Sequence, residues 1–251
     1  MKTFILHGCS GYMGKVVRSI VDTDSDAEIV AGIDPRPDGS ADFPVYASFR
    51  ECKETADAII DFSTASAVDE MVDFGLEKKI PMVICTTGLS DEQLQKISEA
   101  SKEVAILRSA NMSLGINTLM KLISEAAQIL KPAGFDIEIL EMHHKRKLDA
   151  PSGTALALAD CVNEALDNSM DYTFDRSSRR LQRPENEIGI SALRGGSVVG
   201  EHEVIFAGQD EVIKITHSAY SRNIFAKGAV SAAKFLAGKE PGMYDMSDVI
   251  G

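Results

Sequence analysis

Between Glu141 and Thr154 the chain reads E-M-H-H-K-R-K-L-D-A-P-S-G-T, which gathers two imidazoles, three cations and two carboxylates into fourteen residues. Imidazole and ammonium groups can donate protons, and cations beside free backbone amides hold anions. The chemistry this points to is protonation of a small acidic substrate, with His143 and Lys147 as candidate donors. Lys145 and Arg146, taken alone, read as a solvated basic loop.

Two elements must present these groups. Phe135, Ile137 and Ile139 share one parity with Glu141 and His143, so a strand ending here delivers both polar side chains to one face at its rim. Pro151 then stops regular structure, and Ser152-Gly153-Thr154 opens an Ala/Leu-rich helix, Ala155 to Leu166. The first amides of such a helix lack intrahelical partners and form an anion site.

A second constellation lies at the N-terminus. Residues 3–7 read as a buried strand, followed by Gly8, Gly11 and Gly14 and then by Met13, Val16, Val17, Ile20 and Val21 at helical spacing. Strand, glycine loop and helix bring the backbone close to a pyrophosphate on the helix N-terminus. The spacing is G-x-x-G-x-x-G, a departure from the usual G-x-G-x-x-G. A second strand, Glu28 to Ile33, ends at Asp34, about 20 residues past the glycines, where a ribose-binding acid belongs. A turn-forming role before Pro35 is the competing reading.

Three more strand-helix units follow: Ala58–Ile60 before Phe62, Pro81–Cys85 before Thr86-Thr87-Gly88, and Val104–Leu107 before Ala110-Asn111-Met112. Ser90 and Gln93 predict a capping box. Repeated units of this kind predict a parallel sheet whose ligands bind beyond the carboxyl ends of its strands. The candidate dinucleotide contacts are therefore Gly8, Gly11, Tyr12, Met13, Gly14, Asp34, Arg36, Phe62, Thr86, Thr87, Ala110, Asn111 and Met112.

The alternation then stops. A long amphipathic helix runs from Ser113 to Leu130, and strands are expected at Gly189–Arg194, Val198–Phe206 and Glu211–His217, which suggests a second domain with an antiparallel or mixed sheet. The polar segment Asp167–Asn186, with Arg176, Arg179, Arg180 and Arg183, reads as a mobile surface loop without an assigned role. A last helix, Asn223 to Leu236, could pack on either domain. His7 reads as structural. His202 and His217 either line the site or pack.

Composition sets limits on these readings. A formal charge of −12 argues against nucleic acid and anionic membranes as partners, since both call for a broad basic footprint. Four cysteines without C-x-x-C spacing suggest neither a zinc site nor a disulfide framework, and fit reduced thiols in the cytoplasm. No apolar run matches a signal peptide or a membrane span.

The pattern E-x-H-H-x-x-K-x-D-A-P-S-G-T-A from Glu141 to Ala155 resembles that of the 4-hydroxy-tetrahydrodipicolinate (dihydrodipicolinate) reductases of lysine and diaminopimelate biosynthesis. Supporting matches are G-x-x-G-x-M-G at Gly8–Gly14, Thr86-Thr87-Gly88, Ala110–Ser113, Arg194-Gly195-Gly196 with Val199–His202, and Asp245–Val249. The resemblance implies a Rossmann-like parallel-sheet domain over residues 1–112, a smaller α+β domain with a mixed sheet over 113–221, and a return to the first domain over 222–251. It implies a homotetramer assembled through the second domain's sheets, NADH or NADPH as hydride donor, and a small cyclic dicarboxylate as substrate. It also implies that His143 is the general acid or relay, that Lys147 holds the substrate and helps protonate it, and that His144, Gly153 and Thr154 bind it. The rival readings are another two-domain Rossmann reductase, which has no need of the His-His-x-x-Lys stretch, and a nucleotide sensor, which has no need of a proton donor.

Overall fold

The structure is a computed structural model and describes every residue except Asp175 and Ser178, so those two positions of the 167–186 segment lie outside the described residues. The chain forms two compact units, Met1–Leu114 with Asn223–Gly251, and Gly115–Arg222.

The first unit begins with β1 (Lys2–His7), α1 (Tyr12–Val21), β2 (Ala27–Ile33), β3 (Val45–Tyr46), β4 (Ala58–Asp61), α2 (Ala65–Lys78), β5 (Met82–Ile84), α3 (Asp91–Ala100) and β6 (Ala105–Arg108). The second contains α4 (Leu114–Leu130), β7 (Asp136–His143), α5 (Gly153–Glu164), β8 (Asp171–Thr173), β9 (Glu187–Arg194), β10 (Gly200–Ala207) and β11 (Val212–Ala219). The chain then returns to the first with α6 (Asn223–Leu236), β12 (Gly242–Tyr244) and α7 (Met246–Ile250).

Seven parallel strands in the order β12-β6-β5-β4-β1-β2-β3 make the first sheet. A central parallel strand is covered on both faces, and Phe4, Ile5 and Leu6 are accordingly fully buried. Phe4 and Leu6 pack with Val17 of α1 and with Ala226, Ala229 and Leu236 of α6, while Ile5 packs with Met71 of α2 and Ile97 of α3 on the other face. Alternate residues of one strand thus hold helices to opposite sides. The tail helix, whose destination the periodicity left open, belongs to this core. The capping box expected at α3 forms: Gln93 N donates to Ser90 Oγ, and Ser90 N donates to Gln93 Oε1.

The second sheet is mixed, with the order β11-β10-β7-β9-β8. β7 pairs antiparallel with β10 and parallel with β9. Ile137, Ile139, Ile188, Ile190, Val204 and Phe206 form its covered face, against Ile116, Leu119 and Ile123 of α4 and Ala155, Leu158 and Val162 of α5. The polar 167–186 segment departs from expectation because it contains β8, which pairs with β9. Three of its arginines are also engaged. Arg183 donates to Glu138, Asp136 and the Ile137 carbonyl, and Arg176 and Arg179 pair with the buried Glu187. Three residues of backbone pairing leave no hydrophobic period to read, so the charge content alone suggested a free loop.

Candidate active site

The alternation read for β7 holds: Ile137, Ile139, Glu141 and His143 are buried, and Glu138, Leu140 and Met142 face the other way. Glu141 is completely buried and fully engaged. Its carboxylate lies 2.6 Å from His143 Nδ1 and accepts the Ser152 amide at 3.0 Å. It also accepts both terminal nitrogens of Arg194, at 2.8 and 2.7 Å. Arg194 is the register partner of His143 on β9. Burial alone would push the Glu141 carboxyl up, but the hydrogen bonds from Arg194, His143 and Ser152 outweigh it and leave its pKa below the ordinary value. An ionised carboxylate can only accept, so His143 carries its proton on Nδ1 and turns Nε2 outward. Gly200 leaves room there, since a Cβ at that position would stand 3.1 Å from His143 Nε2.

Ser152 caps α5 and accepts the Ala155 amide at 3.2 Å. Its hydroxyl also meets His202 Nε2 at 3.1 Å. His202, the β10 partner of Glu141, stands edge-on to His143 with ring centroids 5.1 Å apart. Burial first, and then the neighbouring His143, push its pKa down to about 4, so His202 is neutral at neutral pH. His217 continues the row on β11, and burial lowers its pKa as well.

Lys147 Nζ lies 2.8 Å from Asp149 Oδ1. Lys147, with help from the Gly153 amide, holds the Asp149 carboxyl below its ordinary value. These are the two donors expected to take a substrate carboxylate, and here they converge on a carboxylate of the chain itself. Nothing within 4 Å would obstruct a Cβ at Gly153, so its backbone faces open space. Thr154 follows in the first turn of α5. His144 has the opposite parity; its amide donates to the Val198 carbonyl at 2.7 Å, and its Nδ1 is buried without a hydrogen-bond partner among the described residues. Of the groups the sequence reading did not assign to the site, Glu141 shares parity with His143 and Ser152 precedes the helix. Those signals were available. Arg194, 53 residues away, reaches the site only through the β7–β9 register.

In the first unit Gly8 has φ +77°, and a Cβ on Gly14 would collide with the Gly8 carbonyl and Cys9. Only glycine fits the close approach of loop and helix. The N-cap Gly11 provides no side-chain cap and the first turn of α1 has no acid, which leaves the amides of Tyr12, Met13 and Gly14 the arrangement that an anion site requires. Asp34 follows β2 and accepts the Ser10 amide at 3.0 Å and the Arg36 amide at 2.9 Å. Lys15 pairs with Asp38 at 2.7 Å. Phe62, Thr86 and Thr87 follow the carboxyl ends of β4 and β5, and Ala110, Asn111 and Met112 follow β6. Asn111 and Met112 are largely buried, the first with its side-chain oxygen on the Ser113 amide. Among the described residues no cluster of three or more His, Cys, Asp or Glu side chains could hold a metal ion.

The family described as dihydrodipicolinate reductase, N-terminus, matches residues 2–112, and the one described as dihydrodipicolinate reductase, C-terminus, matches residues 115–250. The 4-hydroxy-tetrahydrodipicolinate reductase of Caldanaerobacter subterraneus subsp. tengcongensis is 53% identical over 250 residues, covering 100% of this chain and 98% of that one. The reductase of the same name from Clostridium novyi is 45% identical over 251 residues, with coverage of 100% and 98%. Among solved structures, a dipicolinate-bound dihydrodipicolinate reductase from Paenisporosarcina sp. TG-14 superposes with a TM-score of 0.84 at 25% identity, covering 99% of each chain.

Proposed function

The chain belongs to the dihydrodipicolinate reductase family, and from that premise we infer what its residues do. It is an NAD(P)H-dependent oxidoreductase that reduces 4-hydroxy-tetrahydrodipicolinate, a cyclic dicarboxylate, to tetrahydrodipicolinate in lysine and diaminopimelate biosynthesis. NAD(P)H supplies the hydride. The 4-hydroxyl must first leave as water with a proton from the neighbouring carbon. The unsaturated ring so formed then takes the hydride at the carbon that bore the hydroxyl and one proton at its neighbour, and the side chains around β7 and α5 are built to deliver that proton.

Glu141 fixes the tautomer of His143 and balances the charge of its protonated form, so His143 Nε2 is the proton donor or relay. Arg194 prevents the buried carboxylate from standing as an uncompensated charge when His143 is neutral. Lys147 and the Gly153 amide hold one substrate carboxylate, displacing Asp149, and His144 and Thr154 complete the contact. His202, neutral and tied to Ser152, keeps a second positive charge away from His143 while it steadies the helix start. The observation that carries this reading is the buried Glu141 carboxylate shared by His143, Ser152 and Arg194, because it joins the proton donor to the anion-binding helix.

NAD(P)H belongs on the first unit, with its pyrophosphate at the Tyr12–Gly14 amides and its adenosine ribose at Asp34. The oligomer is a homotetramer assembled through the sheet of the second unit, on the face opposite α4 and α5. There Leu193 is 48% exposed beside the half-buried Met142, and Val212 is 54% exposed at the other end of the sheet, with Glu201, Glu203 and Lys214 on the same face. Four free cysteines accord with a cytoplasmic enzyme, and among the described residues no helix is long and apolar enough to cross a membrane.

Steady-state turnover of two variants tests the roles. His143→Gln lowers kcat by about 100-fold with little change in KM, the size of a lost general acid. Lys147→Ala raises the KM for the dicarboxylate and lowers kcat, while NADH affinity is unchanged. Near-normal turnover in both would show that the proton donor lies elsewhere.

A further inference from the structure

One buried polar pair is used by none of these steps. His7 and Asp61 end the adjacent strands β1 and β4 as register partners. They are 4% and 0% exposed, with His7 Nδ1 3.0 Å from Asp61 Oδ1 and the imidazole edge-on to Phe49 at 4.9 Å. The approach is close but poorly directed: neither His7 Nδ1 nor Asp61 Oδ2 has a well-angled hydrogen bond among the described residues. Packing does not explain such a pair, because apolar side chains of similar volume would serve the surrounding Ile5, Phe49 and Ile59 core at least as well.

The pair does aim other groups. Asp61 Oδ1 accepts the Ser63 amide at 3.1 Å, and the Ser63 hydroxyl meets the Thr86 hydroxyl at 3.4 Å. The Phe62 amide donates to the His7 carbonyl and the Cys85 amide to the Asp61 carbonyl, both at 3.0 Å. Burial pushes the Asp61 carboxyl up, but His7, Ser63 and Thr86 outweigh it and leave the group ionised. The Phe62 and Cys85 bonds are backbone ladder bonds that any residue would make; what the side-chain pair itself ties together is Ser63 at the start of the loop after β4 and Thr86 in the loop after β5.

Sheet order says what those loops face. β1 carries the glycine loop, and its neighbour β2 carries Asp34. A dinucleotide with its pyrophosphate at α1 and its adenosine ribose at Asp34 extends its other half the opposite way, over the ends of β4 and β5. We propose that His7 and Asp61 are positioning residues for the nicotinamide half of NAD(P)H, setting Phe62, Ser63 and Thr86 beneath it. The proposal rests on the reading of this unit as the NAD(P)H-binding one.

Binding of NADH and of ADP-ribose, which lacks the nicotinamide, separates positioning from folding when measured on the full chain by calorimetry. In Asp61→Asn and His7→Gln, NADH affinity falls by about tenfold, the size of a lost hydrogen bond or two, while ADP-ribose affinity changes by less than about twofold. KM for NADH rises and KM for the dicarboxylate does not. Thr86→Val, which keeps the shape and removes only the hydroxyl, gives the same selective loss should a core variant fold poorly. Equal weakening of both ligands, or no change in either, in Thr86→Val and in the folded core variants overturns the positioning role alone, provided the wild type binds NADH more tightly than ADP-ribose. A wild type that does not distinguish the two ligands overturns this proposal and the NAD(P)H reading together.

Discussion

His202 shows what the site asks of a single side chain. Its pKa falls from the ordinary 6.5 to about 4, through burial and then through His143, so the folded chain refuses a proton that the unfolded chain accepts. A depressed pKa of this kind leaves stability intact above 6.5 and removes it as pH drops from there towards 4, by an amount of the order of 3 kcal/mol. Thermal unfolding between pH 7 and pH 4 is therefore expected to fall more steeply in the wild type than in His202→Asn. Parallel slopes would show that the imidazole titrates normally. The same scale explains what was legible beforehand. The parity of Glu141 and His143 and the Ser152 cap are local and show in the sequence, whereas Arg194 and His202 depend on strand register, which no local pattern encodes.

At the scale of elements, the glycine loop and the end of β2 decide how the cofactor is read. Asp34 is held in place by the Ser10 and Arg36 amides, so in the proposed cofactor site its carboxylate would be a fixed acceptor for a ribose with free hydroxyls. Lys15 is occupied by Asp38, whose carboxyl it holds well below the usual range, so Lys15 is not a free cation for a 2′-phosphate. Arg36 is exposed and adaptable, with Pro35 and Pro37 on either side. The expected result is use of both cofactors, with NADH at least as good as NADPH. Arg36→Ala should cut kcat/KM for NADPH by about tenfold or more while sparing NADH, since it removes a guanidinium-phosphate pair. Asp34→Ala should chiefly harm NADH. Values of kcat/KM for both cofactors in the three proteins decide it, and a wild type strongly selective for NADPH would remove Asp34 from the choice. Element lengths also set what the sequence could reveal. The long strands and helices show their periods, but β3 and β12, of two and three residues, are too short to have one, and β8 is hidden among charges.

For the whole molecule, the open face of the second sheet, where Leu193 and Val212 are exposed among Glu201, Glu203 and Lys214, carries the assembly expectation. Sedimentation equilibrium of the full chain should return the mass of four chains, and a monomer at working concentration would leave Leu193 and Val212 unexplained. The proposed reaction of this chain is reduction of a cyclic dicarboxylate with a proton from the Glu141–His143 pair. Its most direct test is nicotinamide absorbance after mixing the enzyme with NADH, in parallel with NADPH, and 4-hydroxy-tetrahydrodipicolinate freshly made by the synthase that supplies it. The expected result is mole-for-mole oxidation of the cofactor, inhibited by pyridine-2,6-dicarboxylate in competition with the substrate. Absence of oxidation with both cofactors, or inhibition that competes only with the nucleotide, would contradict it.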